Sequence, residues 1–211
     1  MSREINAQQF SDWIRECSRV IDLNVEALND LDSMCGDADH GSNLQRGFIA
    51  VMEVERTAHS DSPREIFRRV GSTLVDEVGG SSGALYGTFF LRMAIASGSS
   101  VTIDGPAFAL LLRAGGQGIV DRGQAQVRDK TLYDALAPAV EALELAIRDG
   151  QSLGEALEVA ADAAEIGRDS TTEMVARKGR ASYLGERSLG HPDAGATSMA
   201  LILRAAVHTL A

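Results

Sequence analysis

The sequence predicts an all-α fold of seven or eight packed helices, and three observations carry that prediction. Hydrophobic residues make up 45% of the chain while aromatics make up only 5%, and the apolar set is mostly Ala and Leu. Such a balance suits helix-on-helix packing better than a sandwich of strands. Apolar residues recur at three- and four-residue spacing, no stretch alternates with period two, and no repeat of solenoid length appears. At 211 residues with no linker-like stretch, the chain reads as a single domain over 1–211.

Element by element, Phe10, Trp13, Ile14, Cys17, Ile21, Val25, Leu28 and Leu31 mark one buried face of a helix over 6–31, which delivers Asp32 at its C-terminal end. Leu44, Phe48, Val51 and Met52 predict a second helix. Ser62-Pro63-Arg64-Glu65 reads as a capping box with proline at the first helical position, opening a third helix to about Val78. Gly79-Gly80-Ser81-Ser82-Gly83 breaks the pattern, and ALYGTFFLRMAIASG after it is nearly uncharged, predicting a helix buried all round at the centre. Asp104-Gly105-Pro106 starts a helix expected to end at Gly115-Gly116, and Thr131 to Asp134 caps YDALAPAVEALELAI, where Pro138 falls early. Ser152 to Glu155 is a further capping box before a run to about Val175, and an apolar helix over 196–210 closes the chain.

The formal net charge is −10, and the 20 basic residues, 18 Arg and 2 Lys, form no basic block, which argues against a nucleic-acid or anionic-membrane surface. The start MSREINAQQF lacks an apolar signal core, and no run is long enough to span a membrane, so a cytoplasmic protein is expected. Cys17 and Cys35 lie far from CxxC spacing and belong to no zinc-type cluster.

Chemistry concentrates in loops. LDSMCGDADHGSN, residues 31–43, sets Asp32, Asp37 and Asp39 at a helix end, where the negative end of the dipole already disfavours more negative charge. All-oxygen donors suit a hard cation such as magnesium, though the same residues also make ordinary turns. A calcium hand fails, because its positions five, six and twelve would be Gly41, Ser42 and Phe48. The 79–83 loop has the composition for phosphate contact at a helix N-terminus, or for a simple helix–helix turn. Arg177, Lys178, Arg180 and Arg187 gather positive charge before Gly190-His191-Pro192-Asp193-Ala194-Gly195, fit for phosphate recognition or for a solvated face. Neither Lys130 nor Lys178 has the glycines of a P-loop, no dinucleotide fingerprint occurs, and no hydrolase nucleophile stands out. His59 and His208 read as ordinary surface or helix-end residues.

Together, LNDLDSMCGDADHGSN, GGSSGALYGTFF, DKTLYDALAPAVEAL and ARKGRASYLGERSLGHPDAGATS resemble the nucleotide-binding L subunits of the dihydroxyacetone kinases, in order and over nearly the whole chain. The resemblance implies a barrel-like bundle of eight antiparallel helices that binds ADP or ATP with two magnesium ions (Mg2+) at one end. It assigns the metals to Asp32, Asp37 and Asp39. It assigns nucleotide contacts to His40, Gly41, Ser42, Asn43, Ser81 and Ser82, with Gly123, Leu132, Arg180, Asp193, Ala194 and Gly195 completing the pocket. No catalytic residue is expected in this chain: positioning and metal electrostatics carry phosphoryl transfer.

The resemblance also implies a phosphotransferase subunit active only with a separate K subunit that holds dihydroxyacetone. It leans toward ADP kept in place and rephosphorylated by a phosphohistidine phosphocarrier of the sugar phosphotransferase system. The alternatives are an ATP-dependent subunit for a ketose such as erythrulose, and a non-enzymatic ADP-bound protein acting on a transcription regulator. Two positions depart from the family pattern: Ala38 stands where the acidic loop usually has glycine, and Ala194 where proline is usual. Ala38 is therefore expected on backbone that does not require positive φ.

Overall fold

The computed structural model describes residues 4–58 and 62–211, so His59 lies outside the described residues. Helices α1 (Ala7–Leu23) and α2 (Val25–Ser33) are two halves of what the periodicity predicts as one. The break is at Asn24, which leaves helical ψ while its side-chain amide donates to the Val20 carbonyl at 2.7 Å. A short amide competing for a backbone group is a familiar way to interrupt a helix without interrupting its apolar stripe. There follow α3 (His40–Thr57), α4 (Pro63–Glu77), α5 (Gly80–Ser97), α6 (Gly105–Gly123), α7 (Leu132–Arg148), α8 (Leu153–Ser170) and α9 (Ala194–Leu210).

From α3 to α9 each helix packs on the next, α9 packs on α1, and α1 packs on α3, so these helices close a ring with α2 as an extension of α1. The all-helical bundle expected from the sequence is therefore present, and it is barrel-like. Helix starts are chemically defined. Asn6 and Gln9 satisfy each other's backbone N–H groups at 3.0 and 3.1 Å, and Thr131 with Asp134 and Ser152 with Glu155 form the same reciprocal box. Ser62 precedes α4 with Pro63 in the first turn, but caps it through its backbone carbonyl, not its side chain.

Other departures from the sequence reading have tertiary causes. α6 runs through Gly115 and Gly116 to Gly123, because a side chain at 115 would collide with Phe89 of α5; the glycine pair is a packing device and not a stop. α5 begins inside the glycine-serine loop and is a stave of the ring, packed between α4 and α6 with Ile95 exposed, and not a central helix. α8 ends at Ser170, and 3-10 turns at Thr171–Glu173 and Arg180–Ser188 replace its expected continuation. A two-stranded antiparallel ribbon, β1 (Glu4–Asn6) and β2 (Thr102–Asp104), places Ile5 opposite Ile103. Three residues per strand are too few for alternation to show in sequence.

The interior of the ring is filled by Phe10, Trp13, Phe67, Phe89, Phe90 and Phe108, whose ring centroids lie 4.9 to 6.3 Å apart in mostly edge-on or tilted pairs. Trp13 also donates its indole N–H to the Ile202 carbonyl at 3.0 Å, tying α1 to α9. His208 is exposed in the last turn of α9, as expected. Among the described residues no helix is long and apolar enough to cross a membrane.

Candidate functional site

Up-and-down topology brings the N-termini of α3, α5, α7 and α9 to the end where α2, α4, α6 and α8 finish. A cavity of about 560 Å³ opens there. Leu31, Leu85, Ile119, Ala125 and Leu132 form its apolar part, with the acidic loop, the Gly79–Ser82 turn and the 178–181 and 191–195 segments around it. Helix N-termini present unpaired N–H groups and positive dipole ends, so the convergence favours an anion.

The acidic loop folds back on its own helix. Asp32 accepts from the Asp39 N–H through a side-chain oxygen at 3.0 Å, and from the Gly36 N–H through its carbonyl at 2.5 Å. A side chain at Gly36 would strike the Asp32 carboxylate, so only glycine lets this turn close so tightly. As a result one carboxylate oxygen from each of Asp32, Asp37 and Asp39 lies within 4.8 Å of the others. Three carboxylates this close repel unless a cation intervenes, and the oxygen-only donor set fits magnesium. Asp37 pairs with Arg180, whose guanidinium holds the carboxyl below its ordinary range.

Ala38 corrects the sequence expectation: its φ is 61°, in the left-handed region where a β-carbon costs roughly 1–2 kcal/mol. Ala38→Gly should remove that strain, offset in part by the greater freedom glycine gives the unfolded chain. The expected result is a rise in thermal midpoint of about 2–4 °C per kcal/mol recovered. A midpoint unchanged or lowered in calorimetry would mean that the loop is not strained there.

His40 is buried in the first turn of α3, with Nε2 2.8 Å from the Ser198 hydroxyl and Nδ1 3.3 Å from that of Ser82. The Tyr86 hydroxyl lies 2.7 Å from Ser198 and donates to the Gly195 carbonyl at 3.2 Å. Burial pushes the His40 pKa down, so the ring is neutral at pH 7 and links α3, α5 and α9 through both nitrogens. Asn43, Ser81, Ser82, Gly123, Leu132, Arg180, Asp193, Ala194 and Gly195 all line the cavity, as do Asp32, Asp37, Asp39 and His40.

Gly41 and Ser42 are not among the lining residues. Instead Ser42 exchanges hydrogen bonds with the Asn29 side chain at 2.8 and 3.1 Å, and a side chain at Gly41 would collide with the Val25 carbonyl. The structure thus places both where α3 crosses α2 closely.

Asp193 caps α9, accepting from the Ala196 N–H at 2.8 Å, and its own N–H donates to the Thr171 hydroxyl at 2.8 Å. Burial pushes its carboxyl up to about 6, against the cap hydrogen bond and the nearby Lys130 charge. An acid raised in the folded state gives stability that is full below its unfolded pKa, near 3.9, and lost as pH rises through about 6. Asp193→Asn keeps a cap and removes the titration. Its stability relative to wild type should therefore climb by about 2 kcal/mol between pH 4 and pH 7. Urea unfolding of both proteins across that range checks this, and a pH-independent difference would refute the assignment.

The sequence reading missed several cavity residues: Lys130, Thr131, His191, Cys35 and Arg122. His191 Nε2 lies 2.8 Å from Cys35 Sγ, a contact across the chain that no spacing announces. Lys130 sits on a loop where Gln124, Arg128 and Lys130 itself take φ of 51°, 74° and 61°. Such backbone persists only when locked, here by Asp129, which accepts from Gln126 N–H at 2.8 Å, and by Asp134, which accepts from the N–H groups of Arg128 and Thr131.

The fold and site define an α-helical barrel with an acidic, metal-suited cluster beside an anion-favouring cavity. The chain belongs to the DAK2 domain family, which matches residues 34–208. It is 40% identical over 200 residues to the PEP-dependent dihydroxyacetone kinase, ADP-binding subunit DhaL, of Escherichia coli, covering 95% of each chain. It is 36% identical over 191 residues to the L-erythrulose kinase of Pectobacterium atrosepticum, covering 88% of this chain and 32% of that one. Among solved structures, the dihydroxyacetone kinase of C. freundii superposes with a TM-score of 0.73 at 26% identity, over 99% of this chain and 35% of that chain. The same fold is seen in the C. freundii enzyme in complex with AMP-PNP and Mg2+, at a TM-score of 0.72 and 24% identity.

Proposed function

We propose that this chain is the ADP- or ATP-binding subunit of a kinase for dihydroxyacetone or a similar small ketose, and that residues 1–211 work as one cytoplasmic nucleotide-binding domain. The observation that carries this reading is the position of the three-aspartate cluster on the wall of a cavity where four helix N-termini meet. Two magnesium ions on Asp32, Asp37 and Asp39 would neutralise a di- or triphosphate, whose oxygens the first turns of α5 and α9 receive. The apolar wall around Leu85, Ile119 and Leu132 takes the base. Metal charge supplies the electrostatic stabilisation that phosphoryl transfer needs, while the chain's own residues hold the donor in line.

Ketose selection belongs to a partner K subunit that carries the substrate, which is why relatives named for dihydroxyacetone and for erythrulose both resemble this chain. Supporting a separate partner and a phosphoprotein donor, the PTS-dependent ADP-binding subunit of Lactococcus lactis is 34% identical and is covered over 96% of its length. The decisive experiment is to purify the chain without added nucleotide, dialyse it in magnesium, denature it and identify the released small molecules by mass spectrometry. Stoichiometric ADP supports a resident nucleotide recharged by a phosphohistidine phosphocarrier. A folded chain that releases nothing and binds added ATP points to free exchange, and one that binds neither nucleotide refutes the reading.

A further inference from the structure

Lys130 is an unusual lysine. It is 2% exposed and lines the cavity, and its Nζ donates to the Thr171 carbonyl at 2.8 Å and to the His191 carbonyl at 2.7 Å. These two bonds join the loop before α7 to the end of α8 and to the approach to α9, so the ammonium is the knot of three segments of the cavity wall. An ammonium has three donors, and two are spent on neutral carbonyls.

Fully buried lysines are normally neutralised by a carboxylate, because an uncompensated charge away from water costs several kcal/mol. Among the described residues no carboxylate lies within ion-pairing distance of Lys130. The acid whose charge acts on it is Asp193, whose side chain caps α9. Burial pulls the Lys130 pKa down and the Asp193 charge opposes that pull. The chain also accepts left-handed backbone at this position, φ 61°, to put the side chain there. A buried cation, held by strained backbone on the wall of a cavity, with both its bonds spent on neutral carbonyls and no carboxylate in direct contact, is arranged for an anion that arrives from the cavity.

We propose that Lys130 is the charge-selecting residue of the cavity: its ammonium is neutralised by the phosphates of a bound nucleotide, and so sets the preference for ADP over adenosine. The proposal rests on the nucleotide reading above and adds to it a residue and a discrimination. Lys130 acts on the phosphates in concert with the aspartate cluster that lines the same cavity.

The test compares wild type, Lys130→Met and Lys130→Gln by calorimetric titration with ADP in magnesium and with adenosine. The glutamine variant can still donate to the carbonyls but carries no charge. The expected result is that both variants lose at least about tenfold in ADP affinity while adenosine affinity changes by less than about threefold, as fits loss of a charged hydrogen-bonding partner. Equal losses for both ligands, or none, would reduce Lys130 to a structural knot and overturn the proposal. Wild type that binds no ADP would instead remove the nucleotide reading itself, and this inference with it. If both variants fail to fold, carbon-13 labelling of lysine Cε in wild type decides, since Lys130 and Lys178 are the only lysines and Lys178→Arg assigns the pair. Magnesium-ADP should shift the Lys130 resonance and adenosine should not; an unmoved resonance in an ADP-bound protein overturns the proposal.

Discussion

Asp37→Asn is expected to weaken magnesium-dependent ADP binding by at least 10- to 100-fold while leaving the helical circular dichroism and the thermal midpoint of the unliganded chain close to wild type. The scale follows from metal sites, where even partners outside the first ligand sphere are worth about that much. Removing one of three carboxylates within 4.8 Å of each other takes a formal charge from the cluster and leaves an amide, a poorer ligand for a hard cation. The folded chain has little reason to object. Asp37 lies in an exposed loop, and its ion pair with Arg180 is half open to solvent, where such pairs contribute little. Relief of repulsion among the acids offsets its loss. Calorimetric titration of ADP with and without magnesium decides the matter: undiminished magnesium-dependent binding by the variant would remove Asp37 from the ligand set.

What the sequence discloses about the site follows from how local each feature is. Asp32, Asp37 and Asp39 are near neighbours in the chain, so their crowding is visible before any folding, and the same holds for Arg180 and the 193–195 turn. Lys130 is different, because its significance lies in bonds to Thr171 and His191, and read alone it is only a lysine without the glycines of a P-loop. Gly41 and Ser42 share a motif with His40 and Asn43, but one helical turn presents several faces, and the face toward α2 is set by Asn29 and Val25. Ala38 shows the limit of residue-type rules: its positive φ is imposed by closure of the loop onto Asp32, and alanine accepts it at a cost. Gly115 reads as a stop in one dimension and is a contact with Phe89 in three. The helices were legible because their apolar spacing is local; the ribbon joining Glu4–Asn6 to Thr102–Asp104 was not, because it pairs distant and very short segments.

Trp13→Ala should have the opposite profile: a loss of roughly 3–5 kcal/mol in stability with ADP affinity nearly unchanged in the population that remains folded. Trp13 is fully buried, and its ring meets Phe67 of α4, Phe90 of α5 and Phe108 of α6 while its N–H holds α9. Truncation therefore opens a cavity among four staves of the ring, and core aromatics of this size rarely collapse well. Yet the cluster is remote from the site. Phe108 stands near the start of α6 and Gly123 at its end, roughly 22 Å apart at about 1.5 Å of rise per residue. At the site end the loops are locked by their own bonds, through Asp129, Asp134, Lys130 and Asp193, and none of those hydrogen bonds involves a residue of the aromatic cluster. Urea unfolding and ADP titration of both variants then give a crossed pattern, with Asp37→Asn changing binding alone and Trp13→Ala changing stability alone. If truncation leaves too little folded protein, Trp13→Phe keeps most of the ring and loses the hydrogen bond, with about 1–2 kcal/mol expected. A Trp13 variant that lost affinity as fully as Asp37→Asn, at a temperature where it is folded, would show that the core governs the site's geometry, and that the two ends of the barrel are not independent.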